Sequence, residues 1–352
     1  MHGKLQSALG LGTWLAVAFS LTLSACARPA PRAPDAPPAP EAHEEEAVKT
    51  PTPPLFSRIE LPAPEDFHGI RVKDGYALSV EELLGELTTA DVLCAGEQHD
   101  DVHHHWAQYL LLNQLIERRR MNGRGVALGL EMVSRRAQPA LNRWLSGESR
   151  ARQTLDELNW NETWGYDFGF YAPMWWLARQ NGVEIIGLNL ERSLSRKIAR
   201  VGLKGLSDEE RALLPRRMNM SSRDHRAYFD QAMAHHPPPV SSRRRYYEVQ
   251  VAWDETMADT ANKWLEKKAP ASQLLILAGL GHCRNSAIPE RIERRSDQTR
   301  VLSVRPWREG DEPGLPKLLE EGAFDYVLVM SRESKPSHHR GRRGSGRGRD
   351  RR

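Results

Sequence analysis

DVLCAGEQH at 91–99 and LLILAGLGH at 274–282 decide how this chain reads, because they repeat one pattern. In each, a continuous apolar run ends in Gly-x-x-His. Short apolar runs closed by glycine read as strands covered on both faces, as in a parallel sheet packed between helices. A third such run, VALGL at 126–130, is closed by Glu131. Further runs of this kind are VEIIGL at 183–188, RVLSV at 300–304 and DYVLVM at 325–330. Helical patterns lie between them. HHWAQYLLLNQLIERRR at 104–120 places Leu111, Leu112, Leu115 and Ile116 on one face, and YAPMWWLARQ at 171–180 is closed by Asn181-Gly182. The alternation predicts an α/β fold, a mostly parallel sheet flanked by helices. The stretch 206–268 contains no good strand and reads as a smaller helical insertion subdomain, with helices near 224–236 and 243–268 separated by Pro237-Pro238-Pro239.

Ligands of open α/β sheets bind outside the carboxyl ends of the strands. Strands ending in Glu97 and His99, in Glu131 and in His282 therefore bring two imidazoles and two carboxylates toward one crevice. Such a set can hold a metal or move protons near neutral pH. The plainer reading is that glycines allow tight turns and that a histidine at a strand end is a hydrogen-bonded structural residue. One Gly-x-x-His has little weight against that reading. Two behind apolar strands, with a carboxylate behind a third, favour a site.

The ends of the chain bear on its compartment. Lys4 and the apolar run LGTWLAVAFSLTL at 11–23 have the form of a signal peptide, 1–25, and are short for a membrane-spanning helix. Leu23-Ser24-Ala25-Cys26 resembles a bacterial lipobox, which makes Cys26 the lipidation site and the membrane a partner through the acyl chains. Ala27 stands where an inner-membrane retention signal usually places Asp, so the outer membrane is the expected home, with the domain facing the periplasm or the cell surface. Residues 26–57 are rich in Pro, Ala and acidic residues and read as a tether. Residues 335–352 form an Arg/Gly tail expected to be disordered, with eight basic residues against the single Asp350. That tail and Lys4 account for the basic net charge of +4, and the body 58–334 is mildly acidic with no basic stripe. A nucleic-acid partner is not expected.

GEQHDDVHHHWAQYLL, with His104, His105 and Gln108, resembles the first signature of the ChaN-type haem-binding uptake lipoproteins of the Tiki superfamily. ALGLEM at 127–132 fits the second signature, with its glutamate at Glu131. GLNLERSLSRKIARVGLKGL at 187–206 and WDETMA at 253–258 resemble segments of the helical subdomain, and LILAGLGHCRNSAIPERIERR at 275–295 fits the last signature. The chain departs from that signature at Ser286-Ala287, where an additional glycine often precedes Ile-Pro. The resemblance implies haem binding and iron acquisition at the outer membrane. It leaves room for an outer-membrane receptor and for a homodimer with haem across its interface. Other branches of the superfamily are hydrolases, either metal-dependent peptidases or esterases.

Haem needs an aromatic surface and an axial ligand. WNETWGYDFGFYAPMWW at 160–176 supplies aromatics, with phenols at Tyr166 and Tyr171, and His104 and His105 supply imidazoles. Dense aromatics also pack cores, as Trp175 and Trp176 are expected to do. A hydrolase would instead use a divalent metal ion on His99, Glu131 and His282, with Glu97 as general base, or a histidine base oriented by a glutamate. Asp254 is expected to support the site by anchoring the helical subdomain through a salt bridge. Cys94 reads most simply as a small buried hydrophobe. Cys283 is open to metal ligation or to a disulfide with Cys94, the latter only if the two motif strands are neighbours.

Overall fold

The computed structural model describes residues 59–234, 239–268 and 272–332, all within the unit Phe56–Arg352. The signal peptide, Cys26, the tether and the tail lie outside the described residues. The strands are β1 (Phe67–Arg71), β2 (Tyr76–Leu78), β3 (Val92–Glu97), β4 (Val126–Ser134), β5 (Glu184–Asn189), β6 (Gln273–Gly279), β7 (Val301–Arg308) and β8 (Tyr326–Met330). They form one eight-stranded sheet in the order β2-β1-β8-β7-β3-β6-β4-β5. All pairings from β8 to β5 are parallel. The fold is the α/β architecture that the apolar runs predict, and each of the six runs is a strand.

The hairpin β1–β2 was not legible as apolar runs. It is short and half exposed, and it pairs antiparallel with β8. Its turn carries the signal that periodicity lacks: Gly75 has φ 68°, and the Tyr76 amide donates to Asp74 Oδ1 at 3.2 Å. The added strands cover the edge that β8 would otherwise expose.

The helix Val102–Asn122 begins at Asp101, whose carboxylate accepts from the amides of His103 and His104 at 2.8 and 3.2 Å. It stops at Gly123, which is left-handed at φ 71°. Leu111, Leu112, Leu115 and Ile116 all face the core, as their spacing predicts. Across 206–268, the helices are Asp208–Ala212, Arg223–Ala232 and Val240–Lys267. Among the described residues, no helix is long and apolar enough to cross a membrane.

Strand order positions the site. β6 enters the sheet between β3 and β4, so the carboxyl ends of the three motif strands are neighbours, with Glu97 opposite Gly279. At its end β4 departs from regular register with β5 between Leu130 and Ser134, and Glu131 lies within that irregular stretch. The Asn189 amide fixes it by donating to the Glu131 carbonyl at 2.9 Å. Gly96 is required by close approach rather than by a turn: a Cβ there would lie 2.8 Å from Leu280 Cδ2.

The same adjacency corrects the reading of Cys94 as a lone buried hydrophobe and decides between the two readings of Cys283. The two form a disulfide, with Cα atoms 5.4 Å apart and a sequence separation of 189. It ties β3 to the short helical turn Leu280–Cys283 that follows β6, and so fixes His282 relative to Glu97. Closing so long a loop is worth about 2–4 kcal/mol. Reduction, or the Cys94→Ala/Cys283→Ala variant, is expected to lower stability by that amount in urea denaturation. A thiol assay on denatured, unreduced protein should find both cysteines blocked; two reactive thiols from these positions would refute the bond.

Candidate functional site

Glu97 ends β3 with no solvent exposure. A buried carboxylate is tolerated only where donors satisfy it. The Tyr171 hydroxyl donates to Oε1 at 2.6 Å, and His99 Nδ1 lies 2.9 Å from the same oxygen. On Oε2, the Gln108 amide donates at 2.7 Å and His105 Nδ1 stands at 3.5 Å. His105 and Gln108 are three residues apart on one face of the 102–122 helix, so that one element delivers both. The other amide hydrogen of Gln108 reaches the Ala95 carbonyl at 3.0 Å, and His105 Nε2 donates to the His99 carbonyl at 3.1 Å. Burial opposes ionisation of Glu97, but the His105 imidazole and the bond from His99 outweigh it and hold the carboxyl at about 2.

A second chain of contacts starts at β4. Glu131 Oε2 accepts from the Gly279 amide at 2.6 Å, and its Oε1 lies 3.2 Å from His282 Nε2. His282 Nδ1 lies 2.5 Å from Asp254 Oδ1, and Asp254 Oδ2 takes His225 Nε2 at 2.7 Å. His225 ends the chain at the Tyr247 hydroxyl, 3.2 Å away. Burial alone would keep His282 neutral, but a carboxylate at each ring nitrogen raises its pKa well above the ordinary value. His282 is therefore clamped between Glu131 and Asp254, which favour its protonated form. Those two carboxylates are lowered in turn, against burial, chiefly by the His282 charge. His99 joins the two chains electrostatically. Burial disfavours its charge, yet Glu97 and Glu131 together raise its pKa.

The four residues read from the strand ends, Glu97, His99, Glu131 and His282, thus meet at one crevice. The metal reading of His99, Glu131 and His282 fares differently. Among the described residues, no group of three or more His, Cys, Asp or Glu side chains is arranged to hold a metal ion. Both ring nitrogens of His282 are already taken up by Glu131 and Asp254, so the residues as placed do not fit the role assigned to His282. Asp254 is more than the anchor the sequence suggests, because it touches His282 directly. Tyr247, Gln250 and Asp254 follow at intervals of three and four, on one face of the 240–267 helix. That spacing of polar residues was the signal available.

The four candidates for holding haem separate sharply. Tyr171 is fully buried, and its phenol is pushed well above 10 by burial and then by Glu97, so it serves as a hydrogen donor rather than a phenolate. Both ring nitrogens of His105 face oxygen acceptors. His104 Nδ1 accepts from the Gln98 amide at 2.8 Å, which puts its proton on Nε2. Tyr166 is half-buried. Its ring lies 4.8 Å from that of His99, the Trp164 ring lies 4.6 Å from His99, and the two are 5.6 Å from each other. Trp175, by contrast, packs in the core.

Residues 83–292, which span every group just described, match the sequence model of the family described as "Haem-binding uptake, Tiki superfamily, ChaN". The chain belongs to that family. Among solved structures, ChaN of Campylobacter jejuni, described with cofacial haem binding, is similar to this ChaN-family protein with a TM-score of 0.61 and 23% identity. The similarity covers 77% of this chain and 99% of that one, and at that identity it shows a shared fold. The type III effector HopBA1 (TM-score 0.39, 14% identity, 79% of this chain and 99% of that one) is a weaker match. So is a variant of the erythromycin esterase EreC (0.40, 11%, 75% and 83%), and neither score carries an argument about chemistry. No match was found among functionally curated proteins.

The two halves of the ChaN-family site respond to pH in opposite senses. Glu97 has a folded pKa of about 2 against an ordinary 4.5, so its contribution is complete above 4.5 and is lost as pH falls toward 2. That contribution is on the order of 3 kcal/mol. Glu97→Gln should flatten the loss of stability over this window in denaturation at stepped pH. His282 is raised, so its contribution is full below an ordinary histidine pKa and fades only as pH rises through its much higher folded value. Its ring nitrogens should both carry protons at pH 8 by NMR, and Asp254→Asn should move the titration toward neutrality. A neutral wild-type ring at pH 8 would contradict the clamp.

Proposed function

We propose that this protein binds haem at the carboxyl end of its sheet and serves iron acquisition as a lipid-anchored protein of the outer membrane. The observation that carries the reading is the aromatic rim, in which the half-buried rings of Trp164 and Tyr166 pack with His99 beside a buried imidazole–carboxylate network. A planar apolar macrocycle stacks on such a rim, and a phenol or an imidazole is a suitable axial ligand. Tyr166 is the first choice of ligand, because it is half-buried beside His99, whereas Tyr171, His104 and His105 are buried. Membership of the ChaN family supports the reading, as does the cofacial haem described for the Campylobacter relative. The lipobox at 23–26 and the tether behind it support the anchor. A disulfide between Cys94 and Cys283 suits an oxidising compartment.

The hydrolase alternative is not favoured. His282, its proposed ligand or base, has a carboxylate at each ring nitrogen, and a general base needs a nitrogen free to take a proton from the substrate.

Haemin titrated into the purified protein should give a saturable Soret shift at low-micromolar concentration. Tyr166→Phe should weaken binding by about tenfold, roughly 1.4 kcal/mol, and alter the visible bands. Absence of a saturable shift sinks the haem reading, and unchanged spectra in Tyr166→Phe and His99→Ala would remove the rim as its site. Cys26→Ser should release the protein from the membrane fraction; retention there would argue against the anchor.

A further inference from the structure

Arg305 lies on β7, one residue beyond the point where Val304 pairs with Ala95 of β3. It is only 8% exposed, and its Nε has no hydrogen-bond partner. Its Nη2 reaches the Glu312 carbonyl at 3.3 Å, and it makes no ion pair among the described residues. Burial disfavours this charge, and the Glu321 and Asp311 carboxylates offset it only from beyond contact distance. The fully buried Arg291, by comparison, stands 3.4 Å from Glu255.

Two further donors converge beside it. Arg284 follows the 280–283 turn, with its guanidinium carbon 4.4 Å from the centre of the Tyr228 ring. Arg284 and Arg305 both stand 5.9 Å from the Phe324 ring, so one aromatic side chain lies against both cations. Glu321 approaches Arg284 only to 3.4 Å, at the limit of a hydrogen bond. The Tyr228 hydroxyl makes no hydrogen bond among the described residues. Its ring is pressed onto Gly281, where a Cβ would lie 2.9 Å from Cε1 and 3.0 Å from the hydroxyl. The phenol is held up by burial, while both arginines pull it down, and the arginines repel each other. Two cations and a phenol, all donors, thus stand together, with Glu321 the ion-pair partner of Arg284 at 3.4 Å and Arg305 without one among the described residues. Gly281 adjoins His282, so this cluster borders the crevice.

We propose that Arg305, Arg284 and Tyr228 form an anion subsite that takes a carboxylate of the bound ligand. On the haem reading, on which this rests, that carboxylate is a propionate. Arginine accepts a carboxylate through two parallel N–H bonds, and neutralising Arg305 removes the penalty of its buried charge.

The test compares haemin with haemin dimethyl ester, which lacks the free carboxylates, on wild type, Arg305→Met and Tyr228→Phe. Met keeps the apolar volume of a buried arginine and removes the charge; Tyr228→Phe is the milder change. Haemin affinity should fall about tenfold in Arg305→Met and less in Tyr228→Phe, with ester affinity unchanged. In parallel, inorganic phosphate against equal ionic strength of chloride should raise the melting temperature of wild type and not of Arg305→Met. If haemin and ester weaken equally, Arg305 acts through the fold and the subsite is overturned. Unchanged haemin affinity with phosphate stabilisation lost in Arg305→Met would keep an oxyanion site but assign it to a free anion, overturning the propionate. If wild type binds neither porphyrin, the haem reading fails, and the phosphate arm alone decides the subsite. No difference between the proteins in either arm refutes it outright.

Discussion

Glu97 is a charge placed where no water reaches it, and the elements around it are arranged to supply its donors. Tyr171 comes from the aromatic segment, His105 and Gln108 from the long helix after β3, and His99 from the chain just beyond the strand. Removing any one of them would leave a lone pair unsatisfied in a low-dielectric interior, a cost larger than the net worth of an ordinary hydrogen bond. The 160–176 segment is therefore held by more than apolar contact. Its Tyr171 also accepts from the Trp164 indole at 3.1 Å, which carries the constraint outward to the rim.

The second network obeys the same rule with the signs reversed. There a cation, His282, is enclosed by anions, and Asp254 links it to His225 of another helix. The sheet half and the helical half of the described chain are joined by this charge chain, with Glu131 on one side and Asp254 on the other. A disulfide beside His282 holds the turn that carries it. Position and protonation state are thus set by different devices: a covalent bond for the first and paired carboxylates for the second.

Strand-end punctuation was the legible part of this site. Glu97, His99, Glu131 and His282 sit where apolar runs stop, and parallel sheets gather such ends together. What a sequence cannot display is which strand lies beside which. The Cys94–Cys283 bond depended on β6 neighbouring β3, and was therefore only one of two readings of Cys283. His225 lies within a helix, among many polar residues facing solvent, and becomes distinguishable only when the helices pack; Asp254 was legible as a supporting residue but not as a direct partner of His282. The division among haem-ligand candidates also rested on burial: Tyr166 and Tyr171 are five residues apart and equally aromatic, yet one is half-buried beside His99 and the other fully buried against Glu97. The β1–β2 hairpin escaped because three-residue strands have too few positions to show a period, although Asp74-Gly75 marked its turn.

The place of β6 in the sheet also sets an order of assembly. β3 and β4 are complete early in the chain, but the slot between them is filled only by residues 273–279, after the whole helical segment has been made. Until then both strands present unpaired edges, and half of each Gly-x-x-His pairing is missing. Contacts so distant in sequence close slowly, and the waiting intermediate exposes apolar strands prone to pair with other chains. With β7 and β8 following β6, both the sheet and the candidate site wait on the C-terminal strands, and little of either is complete before them.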